Sequence, residues 1–209
     1  MSKELIKRIF SSIILIPLAF YFILHGSFML LFFTTVCFFV ASYEWHMMTK
    51  KKPYYFYGFI FLAISFYTFY NASINYFGVF FVIFVCVSTD IGGYIFGKIF
   101  KGPKLTKISP NKTYAGMIGG YFSSLIFLTL FTSWIDYPTT PTSYFIIVLL
   151  LSTVSQIGDI IISYFKRLSK VKNTGKIIPG HGGLLDRIDG MIFAFPIFYL
   201  VELIGFLSR

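Results

Sequence analysis

Residues 74–96 read INYFGVFFVIFVCVSTDIGGYIF, a run with a single formal charge, Asp90, placed toward its end. A helix needs about 20 apolar residues to cross a hydrocarbon core of about 30 Å, so this stretch is long enough to span a bilayer. It lacks the strict alternation of an outer-membrane strand. Working outward, six more segments of similar character occupy residues 9–24, 27–43, 53–70, 113–135, 143–165 and 188–207. The expected fold is an all-α integral membrane protein, a polytopic helical bundle of about seven transmembrane helices, with six to eight as the range. Only His25 and Gly26 separate the first two segments, which leaves either a tight hairpin or an irregular, re-entrant start.

Composition agrees with a bilayer protein. Of 209 residues, 56% are hydrophobic, 22% aromatic and only 12% charged, more apolar surface than one soluble core of that size buries. Residues 1–209 read as a single integral membrane domain, with N-terminal spans over 1–85 and the chemistry-bearing helices and loops over 86–209. The opening MSKELIKRIF lacks a small-residue cleavage site after it and reads as a retained first helix. Cys37 and Cys86 lie deep in apolar segments without neighbouring ligand types, so they are expected to be packing residues.

The net charge of +10 would suit nucleic acid, but the positions of the cations argue for topology first and no nucleic-acid partner is expected. With the N-terminus in the cytoplasm, seventeen of the eighteen Lys and Arg fall on the cytoplasmic side, leaving Arg209 outside. Lys50, Lys51 and Lys52 need no explanation beyond orientation. The two later cytoplasmic loops interleave their cations with Gly, Pro, Ser and Asp in patterns that orientation does not demand.

Glu4, Glu44 and Asp136 fall at segment ends or in loops, where a solvated role is the default, and Glu202 is placed toward the outer surface. Asp90, Asp159, Asp186 and Asp189 instead map to the cytoplasmic halves or edges of apolar segments. A carboxylate at bilayer depth costs about 2.5–3.5 kcal/mol on insertion scales, so it normally faces a polar cavity with a partner. Asp186 and Asp189 share a helix face if the last helix starts near the loop exit, and Asp159, Ser163, Lys166 and Arg167 form one stripe. Converging carboxylates beside hydroxyl and basic groups suit Mg²⁺, which takes few protein oxygens and completes its shell with water and phosphate. A salt-bridge network that merely ties helices together is the competing explanation.

Between those helices, residues 172–183 read KNTGKIIPGHGG, with four glycines and a proline in nine residues. Such backbone lets successive N–H groups cradle an anion, while Lys and Arg supply the charge that polyphosphate needs. Two of the four arginines, Arg167 and Arg187, flank this loop, where the planar guanidinium fork suits phosphate.

The pattern SYFKR from Ser163, then Lys172-Asn173, then PGHGGLLDRID from Pro179 to Asp189 resembles the signature of the phosphatidate cytidylyltransferases, the CDP-diacylglycerol synthases. A second block agrees: DIGGY from Asp90, Gly97-Lys98, Lys104-Leu105 and ISPNKT ending at Thr113. The resemblance covers about residues 90–190, and the first 85 residues match only as apolar helices. Two departures stand out, Asn173 and Ala115 where the family usually has Asp and Glu, so the roles of those acids are unassigned here.

The resemblance implies transfer of the cytidylyl group of CTP to phosphatidic acid, releasing pyrophosphate, in phospholipid synthesis. It implies Mg²⁺ held by Asp159, Asp186 and Asp189, with a second, monovalent cation and a homodimer left open. Lys166, Arg167, Lys172 and Arg187 would hold phosphates, and His181 would donate to a phosphate oxygen or orient an aspartate. Asp90, Ser109, Lys112, Thr113, Ser163, Gly180, Gly182 and Gly183 would line the substrates. The expected setting is the inner (cytoplasmic) membrane of a bacterium, multi-pass, with the site facing the cytoplasm and membrane lipid at hand. The rival readings are a CDP-archaeol-type synthase, a polyprenol kinase and, outside the enzymes, a cation transporter.

Overall fold

The computed structural model describes residues 3–72, 76–134 and 141–205; Asp136 and Arg209 lie outside them, as does the side chain of Glu4. The described residues form α1 (Lys3–His25), α2 (Ser27–Thr49), α3 (Tyr55–Ala72), α4 (Tyr76–Phe100), α5 (Tyr114–Trp134), α6 (Pro141–Leu168), α7 (Leu185–Ile188) and α8 (Met191–Leu203). Every apolar segment read from the sequence is largely helical over its described residues, the last in two pieces. Five runs are long and apolar enough to cross a membrane: Ile6–His25, Phe28–Thr49, Tyr76–Phe100, Tyr114–Phe131 and Thr142–Leu168. The chain is an all-α, polytopic membrane protein.

The first two segments resolve as a hairpin. Gly26 takes φ +56°, a conformation that suits glycine, and Phe22 stacks on Phe33 across the turn with ring centroids 5.1 Å apart. The last segment differs from a single helix. It begins as the four-residue α7 and resumes as α8 after Asp189 and Gly190, whose backbones stay in the right-handed helical region. Residues 185–203 together reach about 28 Å at 1.5 Å per residue, whereas α8 alone would fall short of a bilayer.

One core joins α4, α6 and α8 through Val79, Val82, Val85, Ile147, Val148, Leu151, Ala194 and Phe198. Lipid tails are as apolar as these side chains, so close packing and polar contacts between helices must supply the specificity. Glycines do so between α4 and α5. A Cβ on Gly92 would collide with Ser123 and the Gly119 carbonyl, and one on Gly116 would lie 2.7 Å from the Gly93 carbonyl oxygen. A polar rung crosses beside them, with Thr89 Oγ1 donating to Ser152 Oγ at 3.0 Å. Cys86 is buried and Cys37 half-buried, both free, as expected of packing residues.

A second cluster, Ala41, Trp45, Met48, Leu62, Ile162, Leu185 and Ile192, ties α2, α3, α6, α7 and α8 together. It underlies the loop between α6 and α7. At this end of the molecule the start of α1, the end of α2 and the two long loops meet, through Arg8 to Gly180, Glu44 to Thr174 and Lys112 to Asp159.

Candidate functional site

Asp90 lies ten residues before the end of α4 and Asp159 nine before the end of α6. At 1.5 Å per residue both sit about 14 Å inside their helix ends, at matching depth. A loop cation descends to them. The α4–α5 loop closes on itself through Leu105 N–H to Lys112 O at 2.8 Å and Lys112 N–H to Ser109 O at 3.0 Å. Lys112 Nζ then lies 2.5 Å from Asp159 Oδ2 and donates to the Gln156 carbonyl at 3.5 Å. Ser109 serves the turn. Thr113 serves the next helix, its Oγ1 accepting the Gly116 N–H at 3.1 Å as the N-cap of α5.

Of the expected α6 stripe, Ser163 meets Asp159, Lys166 reaches across to Asp186, and Arg167 makes no side-chain hydrogen bond or ion pair with them among the described residues. Ser163, itself buried, donates to Asp159 Oδ1 at 3.3 Å, and Lys166 Nζ pairs with Asp186 Oδ1 at 2.9 Å. The Asp186 side chain is only 7% exposed, so this pair is shielded from water. Asp189 accepts the Gly190 N–H at 3.0 Å and lies within electrostatic reach of Asp159, Asp90, Lys166 and Lys112. Arg167 and Lys172 are exposed, and among the described residues neither enters an ion pair.

The aspartates expected to hold Mg²⁺ are thus arranged differently from a three-carboxylate cage. Asp186 turns back toward Lys166 and the loop, because its Oδ2 also accepts the N–H groups of Thr174 at 2.9 Å and Gly183 at 3.2 Å. Among the described residues no three His, Cys, Asp or Glu side chains are grouped to hold a metal alone. Asp159 and Asp189, with Asp90 near, still fit Mg²⁺, which uses one or two carboxylates and takes its other oxygens from water and phosphate.

The glycine-rich loop cradles anions, but they are the protein's own carboxylates. Pro179 and Gly180 occupy the centre of a turn closed by His181 N–H to Ile178 O at 3.0 Å, with Gly180 at φ +77° as the third residue of a type II turn requires. Gly182 N–H returns to the same Ile178 carbonyl at 3.1 Å. Further along, Leu184 N–H and Leu185 N–H each donate to Glu44 at 2.9 Å, and Thr174 Oγ1 adds a third bond at 3.0 Å. Phosphate would therefore meet this site chiefly through Lys and Arg side chains rather than through glycine amides.

Glu44 is the residue that sequence reasoning misplaced. It is 1% exposed, not solvated, because α2 continues to Thr49 instead of stopping near Tyr43. Gly175 and Gly183 make room for it: a Cβ on either would come within 2.6 Å of its carboxylate oxygens. The signal was present in the spacing, since Ala41, Trp45 and Met48, all buried, flank Glu44 on one helix face.

His181 is held between α1 and α7. Its Nδ1 lies 2.8 Å from Ser11 Oγ, and its carbonyl accepts from Arg187 Nη2 at 2.7 Å. Burial first, then the Arg187 and Arg8 guanidinium charges, push the imidazole below its ordinary pKa.

Residues 53–204 match the Cytidylyltransferase family. Among curated proteins, the phosphatidate cytidylyltransferase of Staphylococcus saprophyticus is 42% identical over 118 residues, covering 56% of this chain and 45% of that protein. The one from Bacillus subtilis is 38% identical over 133 residues, covering 62% and 49%, and that of Staphylococcus aureus 44% over 110, covering 52% and 42%. The chain spans about half the length of the curated relatives it matches. With nearly three-quarters of its residues inside the family match, and the paired lysines and aspartates inside that stretch, the chain belongs to the Cytidylyltransferase family.

Proposed function

We propose that the chain is a CTP:phosphatidate cytidylyltransferase, making CDP-diacylglycerol and pyrophosphate at the cytoplasmic face of a bacterial inner membrane. The observation that carries this reading is the pair of lysines, Lys112 and Lys166, each brought by a different element onto an aspartate at the same end of the bundle. The names of the relatives support the same reaction.

The nucleophile, a phosphate oxygen of phosphatidic acid, is already anionic at neutral pH. No strong general base is needed, so the residues' work is positioning and charge stabilisation. Lys112 and Lys166 offer ammonium groups to the triphosphate, exchanging part of their contact with Asp159 and Asp186 for phosphate oxygens. Asp159 and Asp189, with Asp186 or Asp90 completing the set, would hold Mg²⁺, which would supply positive charge to offset that of the departing pyrophosphate. Asp186 fixes Lys166 and the loop that carries Arg187. CTP arrives from the cytosol and phosphatidic acid laterally from the leaflet.

The test is Mg²⁺-dependent formation of CDP-diacylglycerol by purified protein given labelled CTP and phosphatidic acid, with a polyprenol offered in parallel. The expected product is the CDP-lipid, with Asp186→Asn lowering the rate by about a hundredfold or more, since losing one preorganised electrostatic contact costs about 10²–10³ in rate. Phosphorylated polyprenol as the product would make the chain a kinase. Equal rates for wild type and Asp186→Asn would remove Asp186 from the machinery.

A further inference from the structure

The helix with the most open flank carries some of the most specific contacts in the molecule. Along α1, Phe10, Ile13 and Ile16 are exposed by 66%, 64% and 57%, a flank that faces lipid in a membrane protein. Yet its first turns are pinned to the glycine-rich loop. Arg8 Nε donates to Gly180 O at 2.8 Å, and Ser11 Oγ lies 2.8 Å from His181 Nδ1 and 3.1 Å from Pro179 O. Gly180 permits this approach, because a Cβ there would sit 2.9 Å from the Arg8 backbone nitrogen.

From the other side Arg187 Nη2 grips the next carbonyl, His181 O, at 2.7 Å. Two guanidinium groups are thus anchored on consecutive carbonyls of one turn. Each uses one of its five donors there, leaving a fork of N–H groups on an exposed side chain. Both also act electrostatically on the His181 ring between them. Among the described side chains the ion pairs are Lys112 with Asp159 and Lys166 with Asp186, so neither arginine is paired with a carboxylate.

Anchored forks without a carboxylate partner among the described side chains, beside an imidazole, favour a doubly charged phosphomonoester over a singly charged diester. Their place at the end of a lipid-facing helix sets the cluster at headgroup level, on the flank of the turn where α1 docks. We infer that Arg8, with His181 and Arg187, forms a subsite for the monoester phosphate of phosphatidic acid, which enters along α1 while Lys112 and Lys166 attend the nucleotide. This rests on the reaction proposed above; Arg8 lies outside the family match, which begins at residue 53.

The test is equilibrium binding of dioctanoyl phosphatidic acid to the full chain in detergent without CTP, with dioctanoyl phosphatidylglycerol and inorganic phosphate as separate arms. Wild type is expected to prefer phosphatidic acid to both. Arg8→Gln keeps an amide N–H for Gly180 but loses the charge, and is expected to weaken phosphatidic acid by about tenfold while CTP affinity stays within about twofold. Arg8→Lys should recover part of the loss. The inference is overturned if Arg8→Gln leaves phosphatidic acid binding unchanged, or weakens CTP equally, the mark of a latch with no ligand role. Equal binding of inorganic phosphate or phosphatidylglycerol would overturn the lipid monoester assignment. Phosphatidic acid that binds as expected without ever becoming CDP-diacylglycerol would sink the proposed reaction and leave this subsite standing.

Discussion

A carboxylate taken out of water must recover its lost hydration from fixed donors. Glu44 does so with two backbone N–H groups and the Thr174 hydroxyl, from the loop and the first residue of α7, the segment that also carries Asp186 and Arg187. Replacing it with glutamine keeps the volume but turns an amide N–H₂ toward those donors. Glu44→Gln is therefore expected to cost on the order of 3 kcal/mol of stability and at least about tenfold in the proposed CDP-diacylglycerol formation. Thermal unfolding in detergent and the labelled-CTP assay would measure the two; an unchanged midpoint would show that the loop stands without Glu44. His181 gives a second expectation, in pH. Its folded pKa lies below the ordinary value of 6.5, so between the two the unfolded chain binds the proton more readily. Stability should fall as pH drops through about 6.5 toward the depressed value and be indifferent to this group above it. Comparing unfolding midpoints of wild type and His181→Gln across that range tests the sign: wild type must lose more on acidification.

At the scale of elements, the loop-bearing end of the bundle is made by how its helices stop. Past the end of α6, Val171 N–H returns to Lys166 O and Lys170 N–H to Arg167 O, both at 3.0 Å, the paired bonds of a Schellman close. Lys170 takes the left-handed position at φ +56°, and Lys51 and Lys101 do the same beyond α2 and α4, at φ +70° and φ +52°. Glycine is the usual occupant, since a Cβ there costs about 1–2 kcal/mol, while the extra freedom of glycine in the unfolded chain costs about 0.4–1 kcal/mol. The difference favours Lys170→Gly by up to about 1.6 kcal/mol. Its unfolding midpoint in detergent should rise while that of Lys170→Ala, which keeps the Cβ, should not. A rise in both would place the effect in charge rather than backbone. Helix ends are also where sequence reading fell short. Apolar runs report where lipid or core is met, so they marked α4 and α6 well, but α2 runs past its apolar stretch because Glu44 is buried by loop donors 130 residues away.

Over the whole molecule, the bundle was legible because every span must satisfy its own backbone in lipid, leaving long apolar runs as a nearly direct record of the helices. The candidate site was legible in part: of the expected stripe of Asp159, Ser163, Lys166 and Arg167, Ser163 meets Asp159 and Lys166 meets Asp186 across the loop, while Arg167 stands apart. What remained hidden depends on contacts distant in sequence. Arg8 and Ser11 meet the glycine turn across more than 160 residues, and no local pattern announces that α1 closes one side of the site. The same contacts bear on orientation. Because the start of α1, Glu44 near the end of α2, the loop before α5 and the loop after α6 meet at one end, the four cation-bearing segments must share one face of the membrane. On the positive-inside rule we propose that this face is the cytoplasmic one. In a background with Cys37 and Cys86 replaced by alanine, Lys51→Cys and Lys170→Cys should react with an impermeant maleimide only in inside-out vesicles. His25→Cys, at the opposite turn, should react only in right-side-out vesicles. Reaction of Lys51→Cys and Lys170→Cys from opposite sides would contradict the fold itself, whereas a joint reversal of all three would keep the fold and move the site to the outer face.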